Sequence, residues 1–354
     1  MHPRFKGVFS ASLLRVHILF YAVLLIVSAH FATAYAVGTI SYVDLADYQN
    51  GLARLPFQYR VLTSWLLHGL VRVPGFADLA RQLPLPFQQP EVLALTLVNL
   101  GAVTLVTEIV RRIIEIYVDD YVLSRVFCFL MPFSMYFSYV ALANSYKLSF
   151  PYDIPNLPIF AACLYAIFRN KVGRLHVLFF IACLSRETSV FLVVIYLLWH
   201  MHRPVRNLAS VVMHACIMLA ILAVTKYVLF GIYAGNPMEH GSRISGIFTL
   251  RFQQNLEYLT QPQYWPNLFS SFGFLWIILA LCYRYVPDPA LRRTLWVVVP
   301  WTGTMFVVGV LTEVRIFGEL TVLLSAVVSV GAFNFLKARG YQPLGVFDDD
   351  AGRQ

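Results

Sequence analysis

The run LRVHILFYAVLLIVSAHFATAYAV, residues 14–37, is followed closely by SYVDLADYQN, residues 41–50. A helix that crosses a bilayer needs about 20 mainly apolar residues, so the first run predicts a membrane-spanning helix. The second run is the first polar break behind that helix, and FQYR at residues 57–60 comes shortly after it. Two carboxylates and an arginine are therefore expected where the first helix leaves the membrane.

The composition also indicates a membrane protein. The 354 residues are 59% hydrophobic and only 13% charged, and the mean hydropathy is +0.67. About a quarter of the residues of a soluble domain are charged. The net charge of +9 comes from Lys and Arg in short loops between apolar runs, which is the positive-inside pattern of membrane topology. We therefore expect contact with membrane lipid and no nucleic-acid partner.

The cysteines and histidines show no metal or redox pattern. All five cysteines lie in apolar stretches without paired spacing, as small buried hydrophobes do. The histidines are scattered without a His-x-x-x-His pair, so we predict no metal site from them. The sequence also lacks a glycine-rich phosphate loop, a Gly-x-Ser-x-Gly motif and a Cys-x-x-Cys motif. P-loop ATPases, serine hydrolases of that type and thiol oxidoreductases therefore have no support.

Apolar runs alternate with basic loops along the chain. Basic residues precede the first run, which predicts a cytoplasmic N-terminus with a retained signal anchor. The following loop then lies outside, and the same argument, repeated, places the C-terminus in the cytoplasm. The predicted membrane-embedded segments are residues 14–37, 91–110, 121–143, 154–168, 208–232, 267–283, 295–311 and 320–335.

Two further segments complete the predicted fold. Residues 58–73 mix Arg60, His68 and Arg72 with apolar residues, which favours an amphipathic helix along the membrane interface. No separate soluble domain is visible. We therefore predict a single multi-pass transmembrane domain over residues 1–340 and a short cytoplasmic tail over residues 341–354.

Residues 175–200 pose a conflict. They are apolar except for Ser185-Arg186-Glu187-Thr188, yet both flanks are basic, and one spanning helix cannot begin and end on the same side. Two short half-helices that meet at the Arg-Glu pair would resolve this, since broken helices are tolerated where the backbone lines a protein or water cavity. A full crossing with one misplaced basic loop is the alternative. The expected fold is all-α, with about eight or nine membrane-embedded helices plus the interfacial helix.

Asp44 and Asp47 are the first candidates for chemistry. They are three residues apart, so on a helix they share a face. A carboxylate just outside the first spanning helix could act as a general base or hold a divalent cation. The alternative is that these acids keep an outer loop soluble or cap the start of a helix over residues 45–55. The spacing alone leaves both interpretations open.

The layout around these residues resembles a known superfamily. A long first helix, an outer loop with the Asp-x-x-Asp-Tyr pattern of residues 44–48 and an interfacial helix resemble the GT-C integral-membrane glycosyltransferases. The resemblance implies a polyprenyl-phosphate-linked sugar as the donor and an acid of the first extracytoplasmic loop as the catalytic base. By position Asp44 matches that base best, and Asp47 is the alternative. The chain departs from some members in lacking an Asp-Glu pair and a large soluble C-terminal domain.

Arginines form a second group of candidates. Arg186 is a charged residue inside an apolar segment, and such residues are rare and usually functional. Arg186 and Glu187 are therefore expected to line a substrate cavity. The alternative is that they form an ion pair that only holds the helices together. Arg315, with Glu313 and Glu319, is expected to meet a donor phosphate where the penultimate helix leaves the membrane. A capped turn with a surface ion pair is the alternative. Arg60 either meets the same phosphate or extends to lipid headgroups.

Lys147 and Asp153 are the last pair of candidates. Lys147 lies in a short predicted outer loop over residues 144–152, and Asp153 opens the next helix, two residues before Pro155. This order is typical of a helix N-terminal cap with proline in the first turn. The functional alternative is that both residues bind the acceptor or a metal ion.

The expected function is a glycosyltransferase of the inner cell membrane that acts on its extracytoplasmic face. It would transfer a sugar from a polyprenyl-phosphate donor to a glycan, lipid or protein acceptor. No cofactor is required, because arginines can neutralise a phosphate, although a divalent cation could assist. Two alternatives are a transporter or flippase, which would use the charges as a relay, and a non-catalytic scaffold of envelope polysaccharide assembly. Transporters of several folds carry internal repeats, and we find none in this sequence.

Overall fold

The protein is all-helical wherever the structure, a computed structural model, describes it: residues 11–40, 43–141, 149–201, 208–238 and 250–342. Within these ranges extended backbone pairs at a single bridge, between Leu55 and Met238. The first nine α-helices are α1 Ala11–Thr39, α2 Leu45–Gln49, α3 Val61–Val71, α4 Phe76–Arg81, α5 Pro90–Ile114, α6 Tyr121–Phe127, α7 Leu130–Tyr136, α8 Asp153–Phe168 and α9 Val172–Ser185. The remaining ones are α10 Val190–His200, α11 Leu208–Ile232, α12 Phe252–Thr260, α13 Trp265–Phe269, α14 Leu275–Cys282, α15 Pro289–Thr294, α16 Val298–Val308 and α17 Gly318–Ala338.

Among the described residues, five helical segments are long and apolar enough to span a membrane, which confirms the prediction of an all-α, polytopic membrane protein. A sixth is added if one pair of helices, bent by 58°, is a single span. The five are Leu14–Thr39, Pro90–Ile114, Tyr121–Val140, Leu208–Ile232 and Val314–Ala338, and the bent pair is Pro262–Phe269 with Ser271–Tyr285.

The predicted eight or nine membrane-embedded helices are not confirmed. The helices Asp153–Phe168, Val172–Ser185 and Glu187–His200 are apolar but have fewer than 18 residues, and a straight crossing needs about 20. The predicted segment 295–311 is divided, with a 3-10 turn at Leu295–Val297 before the 11 residues of α16. Within residues 58–73, for which an interfacial helix was predicted, a helix of 11 residues forms as α3.

α17 lies at the centre of the bundle. Of its apolar window, 94% is buried, against 28% for α1 and 22% for α11. α17 packs against α5, α7, α8 and α14, and small residues such as Ser325, Ser329 and Gly331 let these neighbours approach closely. The exposed faces of α1 and α11 carry large aliphatic side chains, which suit contact with lipid.

The segment 175–200 is broken where the sequence predicted. α9 ends at Ser185, Arg186 is extended (φ −150°, ψ 153°), and a 3-10 turn over Glu187–Ser189 leads into α10. α9 begins next to Asn170, and the last turn of α10 contains Trp199, whose indole Nε1 donates a hydrogen bond to Asn170 Oδ1 (3.4 Å). Both arms therefore start and finish beside the same end of α8, and the turn that holds Arg186 lies at the opposite end.

The helix ends sort into two sets of polar contacts. Tyr35, near the end of α1, donates to Asp153 at the start of α8 (3.3 Å), and we call this side of the bundle the Asp153 end. At the other side, Tyr21 in the first half of α1 donates to Glu108 near the end of α5 (3.4 Å). Arg111 pairs with Glu108 there (2.6 Å), and we call this side the Arg111 end. The predicted candidates in the later parts of the chain gather at the Asp153 end.

Candidate functional site

Four ionised side chains meet inside the Asp153 end. One guanidinium nitrogen of Arg186, Nη1, lies 3.1 Å from Glu319 Oε1 and 3.3 Å from Asp153 Oδ1. The other oxygen of Asp153 accepts a hydrogen bond from Arg315 Nη1 (3.3 Å). The Asp153 and Glu319 side chains are 0% exposed, and Arg186 is 5% exposed. The arginine of the broken segment therefore bridges acids from α8 and α17.

Local structure fixes these positions. Asp153 and Glu319 stand in the first turns of α8 and α17, where the positive end of the helix dipole favours a carboxylate. Arg186 is held between two helices by the 3-10 turn. The prediction that Asp153 caps its helix is wrong, because Tyr152 is the N-cap residue. The Asp153 carboxylate instead accepts hydrogen bonds from Tyr35 and Arg315.

Glu319 also receives two neutral hydrogen bonds. Asn156 Nδ2 donates to Glu319 Oε1 at 2.8 Å, and Thr188 Oγ1 donates to the same oxygen at 2.5 Å. Asn156 lies on α8 and Thr188 follows Arg186 in the 3-10 turn. Glu319 thus joins the first turn of α17 to both the start of α8 and the turn between α9 and α10.

We expect Thr188→Val to lower the free energy of unfolding by about 2 kcal/mol, because a hydrogen bond to a buried ionised carboxylate is lost. The measurement is equilibrium unfolding in detergent micelles. Thr104→Val is the matched control, since Thr104 bonds only to the carbonyl of Leu100 in its own helix. Equal losses for the two variants would show that the Thr188 bond contributes nothing particular to the site.

A second ion-paired group lies beside the first. Arg60 Nε donates to Glu187 Oε2 (3.1 Å), and Lys226 Nζ donates to Glu187 Oε1 (3.2 Å). The Arg60 guanidinium also stacks on the ring of Tyr152, 4.2 Å from its centroid. Burial by itself lowers the pKa of Arg60, but the neighbouring acidic groups of Tyr152 and Glu187 raise it above its ordinary value. Arg60 therefore keeps its charge.

Arg315 completes the arrangement. It forms an ion pair with Glu313 as well as with Asp153, and its guanidinium lies 3.9 Å from the centroid of the Phe150 ring. Phe150 is in turn held by Tyr35, whose hydroxyl accepts from Phe150 N (3.1 Å). The aromatic ring covers the guanidinium and leaves its edge for polar contacts.

The two groups together carry no net charge. Four cations face four carboxylates, so the low-dielectric interior does not have to hold an uncompensated charge. We call this set the polar cluster. Its members are Arg60, Asp153, Arg186, Glu187, Lys226, Glu313, Arg315 and Glu319.

The polar cluster also has unused hydrogen-bonding capacity. Arg186 Nε, Arg315 Nε and the hydroxyls of Tyr139 and Tyr152 are buried and have no hydrogen-bond partner among the described residues. Buried polar atoms are normally paired. These four donors, together with the carboxylate oxygens Asp153 Oδ1 and Glu319 Oε2, which also lack a hydrogen bond in the described part of the chain, indicate a place where water or the polar groups of a ligand are bound.

Tyr139 reaches this place because residue 318 is glycine. A Cβ at position 318 would stand 1.6 Å from the Tyr139 hydroxyl and 2.7 Å from its Cζ. Tyr139 lies on a π-helical turn, Phe137–Ala141, that follows α7, and such turns are frequent at functional sites. The tyrosine hydroxyl is therefore placed against the first turn of α17, next to Glu319.

Asp44 and Asp47 lie outside the polar cluster. Both are exposed, and neither forms an ion pair in the parts of the chain that the structure describes. Asp44 Oδ1 accepts from Ala46 N (2.9 Å) and Asp47 N (3.1 Å), so Asp44 is the N-cap of α2, as one alternative predicted. Asp47 lies in the first turn of α2 and is not its N-cap.

The loop that carries these two acids nevertheless touches the polar cluster. α2 packs against α3, and the Tyr48 hydroxyl donates to the Arg60 carbonyl oxygen. The ring of Tyr48 lies 6.3 Å, centroid to centroid, from that of Tyr152, on which Arg60 stacks. The exposed carboxylates are thus one layer of aromatic side chains away from Arg60.

The structure brings most of the predicted residues together. Arg60, Asp153, Arg186, Glu187, Glu313, Arg315 and Glu319 belong to the polar cluster; Asp44 and Asp47 lie next to it, and Lys147 falls outside the described residues. Sequence reasoning missed Tyr35, Tyr139, Asn156, Thr188 and Lys226. Lys226 had a usable signal, because it is the single charged residue in the apolar run 208–232.

The described residues also bear on metal binding. Within these ranges no group of three or more His, Cys, Asp or Glu side chains is arranged to hold a metal ion. The carboxylates of the polar cluster are each paired with arginine or lysine instead. The positive charge in the polar cluster therefore comes from arginine and lysine side chains.

Comparisons with known proteins identify no relative of this chain. No family model matches the chain, and no curated protein or solved structure matches it. The resemblance to the GT-C superfamily therefore rests on the layout of the chain and on the short stretch around Asp44 and Asp47.

Proposed function

We propose that this protein is a membrane glycosyltransferase of the GT-C type, which transfers a sugar from a polyprenyl-phosphate donor to a hydroxyl of a glycan, lipid or protein acceptor. One observation carries the proposal. Buried arginines with unused N–H groups lie at one end of a membrane helix bundle, directly beside a loop with two exposed carboxylates. Guanidinium donors for the phosphate and a nearby general base are the two elements that displacement of a lipid phosphate requires.

The arginines suit a phosphate that arrives on a lipid. A polyprenyl tail occupies the apolar part of the bilayer and its phosphate stays near the surface, at the depth of helix ends such as those of α8 and α17. Guanidinium groups match phosphate oxygens in geometry and charge. Arg186 and Arg315 each have an unpartnered Nε–H, and the hydroxyls of Tyr139 and Tyr152 add two neutral donors.

The reaction is a direct displacement at the anomeric carbon. The acceptor oxygen forms a bond to that carbon while the bond from the carbon to the phosphate oxygen breaks, and the phosphate leaves with the electron pair. Negative charge grows on the leaving phosphate, which Arg186 and Arg315 stabilise. The acceptor proton passes to Asp44 or Asp47. No metal ion is required, although a divalent cation could share the charge.

The acids of the polar cluster are poor candidates for the base. Asp153 and Glu319 are fully buried and paired with arginine, so proton uptake there would leave the guanidinium groups uncompensated. Asp44 and Asp47 are exposed, and in the proposed orientation they face the aqueous side from which a hydroxyl acceptor would come. We therefore assign the buried acids to positioning the arginines and the loop acids to proton transfer.

The proposed orientation follows from the charges of the connecting loops. Arg111 and Arg112 stand at the Arg111 end, where short basic loops predict the cytoplasm. The Asp153 end then faces outward from the inner membrane, and both termini are cytoplasmic. In this arrangement α8, α16 and the broken segment of α9 and α10, counted as one, join the five or six long spans, which gives the eight or nine embedded helices of a GT-C-like fold.

A transporter or a scaffold would use the same residues differently. A transporter would need its ionised groups to serve as a relay through the membrane, whereas the polar cluster lies at one end of the helices. A scaffold would use the ion pairs only to hold α8, α9, α10 and α17 together. Neither role requires a free carboxylate in the loop beside Arg60.

Release of undecaprenyl phosphate tests the proposal. The purified protein in lipid nanodiscs is incubated with a panel of undecaprenyl-phosphate hexoses and pentoses and with cell-envelope extract as the source of acceptors. We expect one donor of the panel to lose its sugar, with free undecaprenyl phosphate detected by mass spectrometry. If no donor loses more sugar in the presence of the protein than in empty nanodiscs over the same time, a transferase that uses these donors is contradicted.

A further inference from the structure

α12 has an unusual position beside the helix bundle. Its Asn255 is buried, donates through Nδ2 to the carbonyl oxygens of Phe306 (2.8 Å) and Gly309 (2.7 Å), and accepts through Oδ1 from Leu311 N (3.0 Å). Arg251 N also donates to the Val307 carbonyl oxygen (2.7 Å). α12 is thus fixed to the end of α16, on the chain that leads directly to Glu313 and Arg315.

Three different surfaces run along α12. Successive residues are about 100° apart around the helix axis, so Phe252, Leu256 and Leu259 form one stripe, and all three are 42% to 53% exposed. A polar and exposed arc lies beside it, and the arc that contains Asn255 faces the protein. The polar arc consists of Gln253, Glu257 and Thr260.

The apolar stripe continues beyond the helix. Trp265 Nε1 donates to the Leu259 carbonyl oxygen (3.1 Å), and Trp276 Nε1 donates to the Phe269 carbonyl oxygen (2.9 Å). Trp265, Phe269 and Trp276 are all exposed. They lead from α12 into the bent pair of helices that is the sixth candidate span, so the stripe is continuous with a surface that suits lipid.

We propose that α12 lies in the plane of the membrane surface and that the lipid bilayer is the partner of its apolar stripe. Phe252, Leu256 and Leu259 enter the boundary between headgroups and acyl chains, and the polar arc faces water, as in interfacial helices. Tryptophans at its C-terminal side take the position of a membrane aromatic belt. The inference goes beyond the proposed function, because it holds whatever reaction the protein catalyses.

This position has a consequence for the polar cluster. α12 is bonded to Leu311, which is two residues from Glu313. With α12 at the membrane interface, the segment before α17 is therefore held at the same depth in the membrane. Arg315 is then kept at the level of lipid phosphates.

Depth-dependent quenching tests the placement of α12. Single cysteines are introduced by Leu256→Cys on the apolar stripe and Gln253→Cys on the polar arc, each in a Cys216→Ala background, because Cys216 is exposed whereas Cys128, Cys163, Cys183 and Cys282 are buried. The full chain is labelled with bimane and placed, one copy per disc, in phosphatidylcholine nanodiscs. Acyl-chain doxyl lipid and aqueous iodide are the two quenchers.

We expect the label at position 256 to be quenched severalfold more by doxyl lipid than the label at position 253, and iodide to give the reverse order. Phe252→Cys and Glu257→Cys repeat the comparison and keep the test valid if one variant does not fold. Equal quenching of the two faces by doxyl lipid would overturn the proposal. Protection of position 256 from both quenchers would also overturn it, because the stripe would then be covered by protein.

Discussion

Replacing Arg186 by methionine is expected to lower the free energy of unfolding by about 3–5 kcal/mol, the usual loss when one partner of a buried ion pair is removed. Arg186 lies within 3.3 Å of Asp153 and within 3.1 Å of Glu319. Both carboxylates are fully buried, so neither can recover hydration when the guanidinium is gone. Equilibrium unfolding in detergent micelles, by titration with sodium dodecyl sulfate, measures the change.

Two further variants separate charge from packing. The double variant Arg186→Met/Glu319→Gln is expected to regain part of the loss, because one buried acid becomes a neutral amide. Arg112→Met is the matched control, since Arg112 is 59% exposed and pairs with Glu108 at the Arg111 end; its effect should stay under about 1 kcal/mol. If Arg186→Met lowers the free energy of unfolding by no more than the control does, the ion pairs of Arg186 do not stabilise the fold as expected.

The second large effect is expected on catalysis. One of the variants Asp44→Asn and Asp47→Asn should reduce release of undecaprenyl phosphate by about 10²–10⁴-fold, the usual contribution of a general base. Asparagine is as good an N-cap as aspartate, so Asp44→Asn keeps the bonds to Ala46 N and Asp47 N. The free energy of unfolding should therefore stay unchanged in both variants while the rate falls in one.

The comparison with an unrelated acid completes this test. Asp78 is exposed and pairs with Arg81 on α4, so Asp78→Asn changes the same chemical group outside the polar cluster and outside the loop of Asp44 and Asp47, and it should leave the rate unchanged. Release at the wild-type rate in both Asp44→Asn and Asp47→Asn would remove the loop acids from the mechanism. A fall in rate that only accompanies a fall in stability would assign them to the fold.

Much of the helical layout could be predicted from hydropathy and loop charge. The runs 14–37, 91–110 and 208–232 correspond to α1, α5 and α11, because long apolar stretches leave few alternatives to a spanning helix. The basic flanks of residues 175–200 predicted the break at Arg186, since a helix cannot begin and end on one side. Chain direction alone then placed Asp153, Arg186 and Arg315 at one end.

Other features depend on three-dimensional contacts that no local pattern contains. Asp153 looked like a helix cap because Pro155 follows it, but its partners Tyr35 and Arg315 come from distant parts of the chain. Tyr139 reaches the polar cluster only because residue 318 has no side chain. The predicted eight or nine membrane-embedded helices are not confirmed, because α8 and the arms of the broken segment are apolar yet too short to cross directly.

Binding of undecaprenyl phosphate tests the central claim most directly, because it requires neither the sugar nor the acceptor. Native mass spectrometry of the protein released from micelles compares this lipid with undecaprenol, which has the same chain and no phosphate. We predict that the wild-type protein and Arg112→Gln retain undecaprenyl phosphate in preference to undecaprenol. Arg315→Gln, compared as folded protein with an unfolding temperature similar to that of the wild type, should lose this preference. Equal binding of the two lipids by the wild-type protein, or an unchanged preference in folded Arg315→Gln, would contradict a phosphate site in the polar cluster.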